Sequence, residues 1–122
     1  PNDVILPAKA TRNVNTNIET GEVTYKIKID GGKTKFRDID LTYGTKSSQK
    51  YTIVEGDPLS ACIEYKSDFS FERDGWDIRT RSRLKTTCDA FNFIIKGRIL
   101  GFEKGQQVFT RDWNVKIPRL IF

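Results

Sequence analysis

The sequence predicts an all-β chain, a two-sheet antiparallel β-sandwich of jelly-roll type, and three observations carry that prediction. Apolar and polar residues alternate at period two in segment after segment, and turn-forming residues recur between those segments. Nine Gly and four Pro interrupt the apolar stretches often, so no long uninterrupted helix is easy to draw.

Residues 1–20 are polar and Asn-rich, with Val4-Ile5-Leu6-Pro7 as their apolar cluster, and read as a linker or wrapping segment ahead of a domain at 21–122. Val23, Tyr25, Ile27 and Ile29 alternate with Thr24, Lys26 and Lys28, the pattern of a strand with one wet face. Asp30-Gly31-Gly32 then supplies residues that can reverse the chain. Ile39, Leu41 and Tyr43 give a second strand, and Gly44 to Lys50 reads as a polar turn. Tyr51 to Val54 is a short strand closed by Glu55-Gly56-Asp57-Pro58, where Pro58 biases Asp57 away from helix.

Leu59, Ala61, Ile63 and Tyr65 form the next inward row, followed by Phe69 and Phe71. Arg73-Asp74-Gly75 turns into Trp76 to Arg83, a strand that sets Arg79, Arg81 and Arg83 on one face. Ala90 to Phe102 is apolar enough for a central strand covered on both faces and bent at Gly97. Glu103 to Gln106 is a hairpin loop, and the last strand carries Phe109, Arg111, Trp113 and Val115 on one side until Pro118 stops it. About eight strands at near-regular spacing point to two packed antiparallel sheets.

Composition narrows the function. The chain has no histidine, so the usual general base of Ser and Cys hydrolases and the commonest metal ligand are both missing. It contains neither a Gly-x-Ser-x-Gly elbow nor a Gly-x-x-x-x-Gly-Lys phosphate loop, and two separated Cys without His cannot close a zinc site. No catalytic residue, metal site or cofactor is therefore expected within it. Asp38 with Asp40, and Asp74 with Asp77, are the available carboxylate pairs, and a solvated strand face accounts for the first.

Cys62 and Cys88 read as small apolar residues rather than a disulfide, which points toward a cytoplasmic setting. No run of about 18 apolar residues occurs, and the first 20 residues carry no apolar signal core, so no membrane partner is expected. The chain opens on Pro1 and lacks Met, as expected of a processed product or an excised piece. Its net charge is +5, but 16 acidic residues are interspersed with 21 basic ones, which describes a mixed surface rather than a nucleic-acid-binding arm.

Several motifs fall in one ordered series: Thr20-Gly21-Glu22-Val23, Asp57-Pro58-Leu59-Ser60-Ala61, Arg73-Asp74-Gly75-Trp76, Arg79-Thr80-Arg81-Ser82-Arg83, Phe91-Asn92-Phe93, Arg111-Asp112-Trp113 and Ile117-Pro118-Arg119-Leu120. From about Thr20 to Leu120 the chain resembles the C-terminal β-domain of the X-Pro dipeptidyl-peptidase and cocaine-esterase-like (CocE/NonD) hydrolases. It departs from their pattern in lacking an Asp between Arg119 and Leu120, and in carrying Gly101-Phe102 where relatives often have Ala with an aromatic. The resemblance implies a jelly-roll, galactose-binding-like sandwich that packs on an α/β-hydrolase catalytic domain, helps wall its active-site entrance and supports oligomer contacts. The Ser, Asp and His of such an enzyme would lie on that other domain.

The candidate interdomain contacts are Trp76, Arg79, Arg81, Arg83, Trp113 and Arg119. Two other roles stand beside this one. Trp76, Trp113 and Tyr65 could form a sugar-binding platform, and Arg79, Arg81 and Arg83 an anion-binding row, unless Glu64, Asp68 or Glu72 on neighbouring strands neutralise that row.

Overall fold

The computed structural model describes residues 2–119. Eight strands, β1 (Asn2–Leu6), β2 (Lys9–Thr16), β3 (Glu22–Phe36), β4 (Leu41–Val54), β5 (Asp57–Arg73), β6 (Trp76–Cys88), β7 (Asn92–Glu103) and β8 (Gln106–Pro118), account for most of them. Every pairing is antiparallel, so the all-β class predicted from the sequence is what forms. The strands belong to one hydrogen-bonded sheet in the order β1-β3-β4-β5-β6-β7-β8, with β2 also on β3. From β3 onward each strand pairs with the next in the chain, a meander without the Greek-key crossover that defines a jelly roll.

The strands are longer than sequence punctuation suggests. β5 runs 17 residues, roughly 56 Å at the usual rise per residue. Tight hairpins do form at Glu55-Gly56, Asp74-Gly75 and Lys104-Gly105, where Gly56, Gly75 and Gly105 hold positive φ. Gly44 to Lys50 is not a turn but the middle of β4, and Asp30-Gly31-Gly32 does not reverse β3. The reversal comes six residues later, through a turn of 3-10 helix at Arg37–Ile39 and Asp40 in the left-handed region. Asp38 and Asp40 therefore share no strand face, and Asp40 pairs with Lys35 at 3.2 Å.

What Asp30-Gly31-Gly32 does instead is change the partner of β3. β2 pairs with β3 as far as Asp30, and β1 takes over from Lys33, so the polar residues 2–16 fill one edge as two strands in line. The register on β4 shifts at the same point. Gly32 sits at φ +70, and a Cβ there would meet the Leu6 carbonyl oxygen at 2.1 Å. Glycine is thus demanded twice, by dihedral and by space. β2 is exposed along its whole length, so backbone pairing rather than burial holds it.

Directly opposed residues in an antiparallel ladder project from the same face, so the registers sort every side chain onto one of two sides. Rows such as Tyr25-Tyr51-Ile63-Thr86-Ile95-Val115 make one side apolar. Tyr43 stacks on Phe71 at 5.1 Å and Tyr25 lies 6.2 Å from Tyr51 on this side. The Trp113 indole lies against Gly97, where a Cβ would come within 2.2 Å of it. The other side carries Lys, Arg, Asp and Glu in rows. Among the described residues no apolar side chain is buried, and β7 is not covered on both faces as its sequence suggested.

Two substitutions test this account by urea denaturation. Gly97→Val should cost about 1–3 kcal/mol by forcing the indole off the strand. Gly32→Ala should cost distinctly more than Gly56→Ala, because both hold positive φ but only Gly56 has open space around it. Equal losses at the two positions would remove the steric part of the argument.

Candidate functional site

The structure divides the predicted contact residues between the two faces. Trp76 and Trp113 belong to the apolar side, since Trp76 shares the alternation of Ile78, Thr80 and Leu84, and Trp113 opposes Gly97 in the Leu84 row. Eight residues of β6 separate the row of Trp76 from that of Trp113, about 27 Å along the strand. They form no shared platform, and Tyr65 and Trp113 have Leu84 and Gly97 between them.

Arg79, Arg81 and Arg83 lie together on the charged face, as period two requires. Their environments differ. Arg79 reaches Glu72 at 3.3 Å and Asp77 at 3.4 Å, and Arg81 reaches Asp68 at 3.6 Å while stacking over Phe102 at 5.6 Å. Glu72 also accepts from Lys33 at 3.3 Å. The expected cross-strand ladder with Glu72 and Asp68 is thus in place for two of the three arginines. Such exposed pairs contribute at most about 1 kcal/mol each, and their larger effect is to neutralise the row.

Arg83 has no carboxylate opposite it. Its cross-strand neighbours are Lys66 and Arg98, and Glu64, the remaining candidate partner, pairs with Lys85 at 4.0 Å. Arg98 is held in turn by Asp112, with Nε donating at 2.7 Å, and that bond keeps the Asp112 carboxyl below the usual carboxylate range. The sequence row of three arginines therefore splits into two neutralised members and one cation among cations.

Arg119 serves the closure of the sheet. Its Nη1 donates to the Asp89 carbonyl at 2.8 Å, its backbone N–H donates to the Phe91 carbonyl, and its guanidinium lies over the Phe93 ring at 5.5 Å. Asp89 organises the same turn by accepting from the backbone N–H groups of Phe91 at 2.8 Å and Asn92 at 2.7 Å. Leu120 of the closing motif lies outside the described residues.

The remaining chemistry is sparse. Cys62 and Cys88 are both free, and adjacent-row parity puts them on opposite faces, which precludes pairing within the chain. Among the described residues no group of three or more His, Cys, Asp or Glu lies close enough to hold a metal ion.

Sequence reasoning missed the most distinctive feature of both sides, because it concerns rows across strands. Ile63 (41 % exposed), Phe69 (36 %), Phe93 (43 %) and Val115 (43 %) stand on one largely apolar surface, and no second layer lies over it among the described residues. Within that surface Ser47, Ser67 and Ser82 oppose one another and leave a trough of small side chains, with Ser67 buried at its centre. Each strand showed its alternation in sequence, but nothing in one strand says which row meets which.

The Asp89 turn supplies a pH test. Hydrogen bonds from Phe91 and then Asn92 depress the Asp89 carboxyl, so its contribution is present above the unfolded value near 4 and lost as pH falls through the lower folded value. The thermal midpoints of wild type and Asp89→Ala should differ at neutral pH and converge below about pH 4. A gap that stays constant to pH 2 would show that the carboxylate charge is irrelevant to the turn. Comparison of the chain with protein-family models, with curated proteins and with solved structures finds no match.

Proposed function

We propose that this chain is a non-catalytic accessory domain of a serine hydrolase of the X-Pro dipeptidyl-peptidase or CocE type. In this reading ester or peptide hydrolysis is performed by a separate α/β domain, on which the chain packs, helping to shape the active-site entrance. The observation that carries the reading is the uncovered apolar face, because a sheet with one apolar side needs a second layer against it. Six strands at about 4.8 Å spacing, overlapping for some eleven residues, offer roughly 900 Å², close to what one partner contributes to a standard stable interface. Aromatic and aliphatic anchors flank the serine trough on both sides, Ile63 and Tyr65 on one and Phe69 and Phe71 on the other, so a partner has two apolar ridges to grip.

The assignment of residues shifts accordingly. Trp76 and Trp113 stay as contacts, Ile63, Phe69, Phe93 and Val115 join them, and Arg119 acts by holding Phe93 and the adjacent turn in place. Arg79, Arg81 and Arg83 are on the far side and do not share in this contact.

The chain alone should show no turnover of X-Pro peptides or small esters, and mixing it with the separately produced α/β domain should give a one-to-one complex by native mass spectrometry. Ile63→Asp or Phe69→Asp should weaken that complex at least tenfold while the far-ultraviolet circular-dichroism spectrum stays that of a β-sheet. Vigorous hydrolysis by the isolated chain, a homodimer that the catalytic domain does not displace, or unchanged activity of the parent after deleting this domain would each defeat the proposal.

A further inference from the structure

The charged face is not uniformly mixed. Near the Arg73-Trp76 hairpin, cations and carboxylates alternate and pair, as with Lys33, Glu72, Arg79 and Asp77. Toward the middle of the sheet two neighbouring rows break that balance. One runs Lys28, Ser48, Lys66, Arg83, Arg98, Asp112, and the next runs Lys26, Lys50, Glu64, Lys85, Lys96, Asn114. Eight cations face two carboxylates there, an excess larger than the +5 of the whole chain. Lys85 and Arg98 are the two that those carboxylates engage. Among the described residues Lys26, Lys28, Lys50, Lys66, Arg83 and Lys96 make no ion pair within 4 Å.

Geometry makes this excess a track rather than a patch. The two rows are successive positions on each strand, about 7 Å apart, and extend from β3 to β7, about 19 Å across the strands. Between them lie two adjoining shallow depressions that together form an open groove, one lined by Lys28, Lys50 and Lys66 over β3 to β5 and one by Arg83, Lys96 and Arg98 over β6 and β7, with Glu64 bordering both and Asp112 the second. Like charges directly opposed on a sheet destabilise it, and Lys66, Arg83 and Arg98 are directly opposed. An anion lying in the groove would remove that repulsion.

The structure assigns this groove to the phosphodiester backbone of a double-stranded nucleic acid, bound without regard to sequence. Six of the eight cations are lysines, point charges that attract phosphate without fixing its orientation. Neither row contains an aromatic or aliphatic residue, so the track has no platform on which unpaired bases stack, no wedge to enter a bilayer and no apolar anchor for a protein interface. Three free cations stand in each row, Lys28, Lys66 and Arg83 in one and Lys26, Lys50 and Lys96 in the other, enough to neutralise about three phosphates lying between them. The groove is on the side opposite the apolar face, so the assignment holds whether or not that face docks on a hydrolase.

Fluorescence anisotropy with a 20-base-pair DNA duplex tests it. Neutralising about three phosphates predicts an affinity roughly 40-fold weaker at 200 mM than at 50 mM salt. The double variant Lys66→Gln/Arg83→Gln should bind at least tenfold more weakly at 50 mM salt and show a shallower salt dependence. The control Arg79→Gln/Arg81→Gln, at paired positions, should stay within about twofold of wild type. No duplex binding at 50 mM salt, binding insensitive to salt, or equal loss in the control pair would overturn the assignment. Tighter binding to a 20-base oligothymidylate, to polyglutamate or to vesicles containing 30 % phosphatidylserine would overturn it in favour of that partner.

Discussion

The constraint on which the molecule depends is that a single sheet has two faces and the described residues supply cover for neither. Strands as long as β3 to β8 satisfy their backbone groups laterally, through ladders that run nearly their full length. That solves hydrogen bonding and leaves side-chain burial unsolved. On the charged face water is an adequate second layer. On the other face Ile63, Phe69, Phe93 and Val115 touch their neighbours in the sheet and otherwise face solvent, where water is a poor partner for apolar surface. The demand for another layer therefore comes from the packing alone, and the partner domain proposed above would supply one.

Antiparallel register also explains why the charge distribution was hidden. Along the sequence the basic and acidic residues alternate closely enough to read as a mixed surface. Pairing five strands brings together residues as distant as Lys28 and Arg98, and the sorting is unequal from row to row. Glu72, Asp77 and Asp68 meet Arg79 and Arg81, whereas Lys66 and Arg98 meet Arg83. A sequence that looks neutralised can therefore fold into a surface with one neutral half and one cationic half.

The all-β class was legible because period two is a local property, and so were the three hairpins whose glycines need positive φ. What depended on a partner strand was not. Asp30-Gly31-Gly32 has the composition of a turn but accommodates the switch from β2 to β1, a fact contained in residues 2–10 and not in the motif itself. Gly44 to Lys50 looks like a loop because its residues are polar or small. It is a strand because β3 and β5 flank it on both sides and fix its backbone. Residues 2–16 lack a sustained apolar alternation, and β3 recruits them mainly through backbone pairing, with an Asp3–Arg37 ion pair fastening β1. Among the candidate contacts, the face of each arginine could be read from parity, but the neutralisation of Arg79 and Arg81 and the isolation of Arg83 follow from register.

Long strands and the missing second layer are two aspects of one solution. A sandwich folded from one chain must turn its strands over from one sheet to the other, and each crossing shortens the strands and needs a bend or bulge. A meander avoids the crossings, keeps β5 continuous for 17 residues and gathers most of its apolar side chains on one face, with Ile94, Leu100 and Phe102 on the other. Trp113 over Gly97 and Phe109 beside Gly101 are what such a sheet can achieve unaided, each aromatic ring lying across a neighbouring glycine to cover backbone that would otherwise be bare. An apolar face of this extent is suited to meeting another preformed surface, and much less to enclosing a small ligand, for which a deep concave pocket is needed.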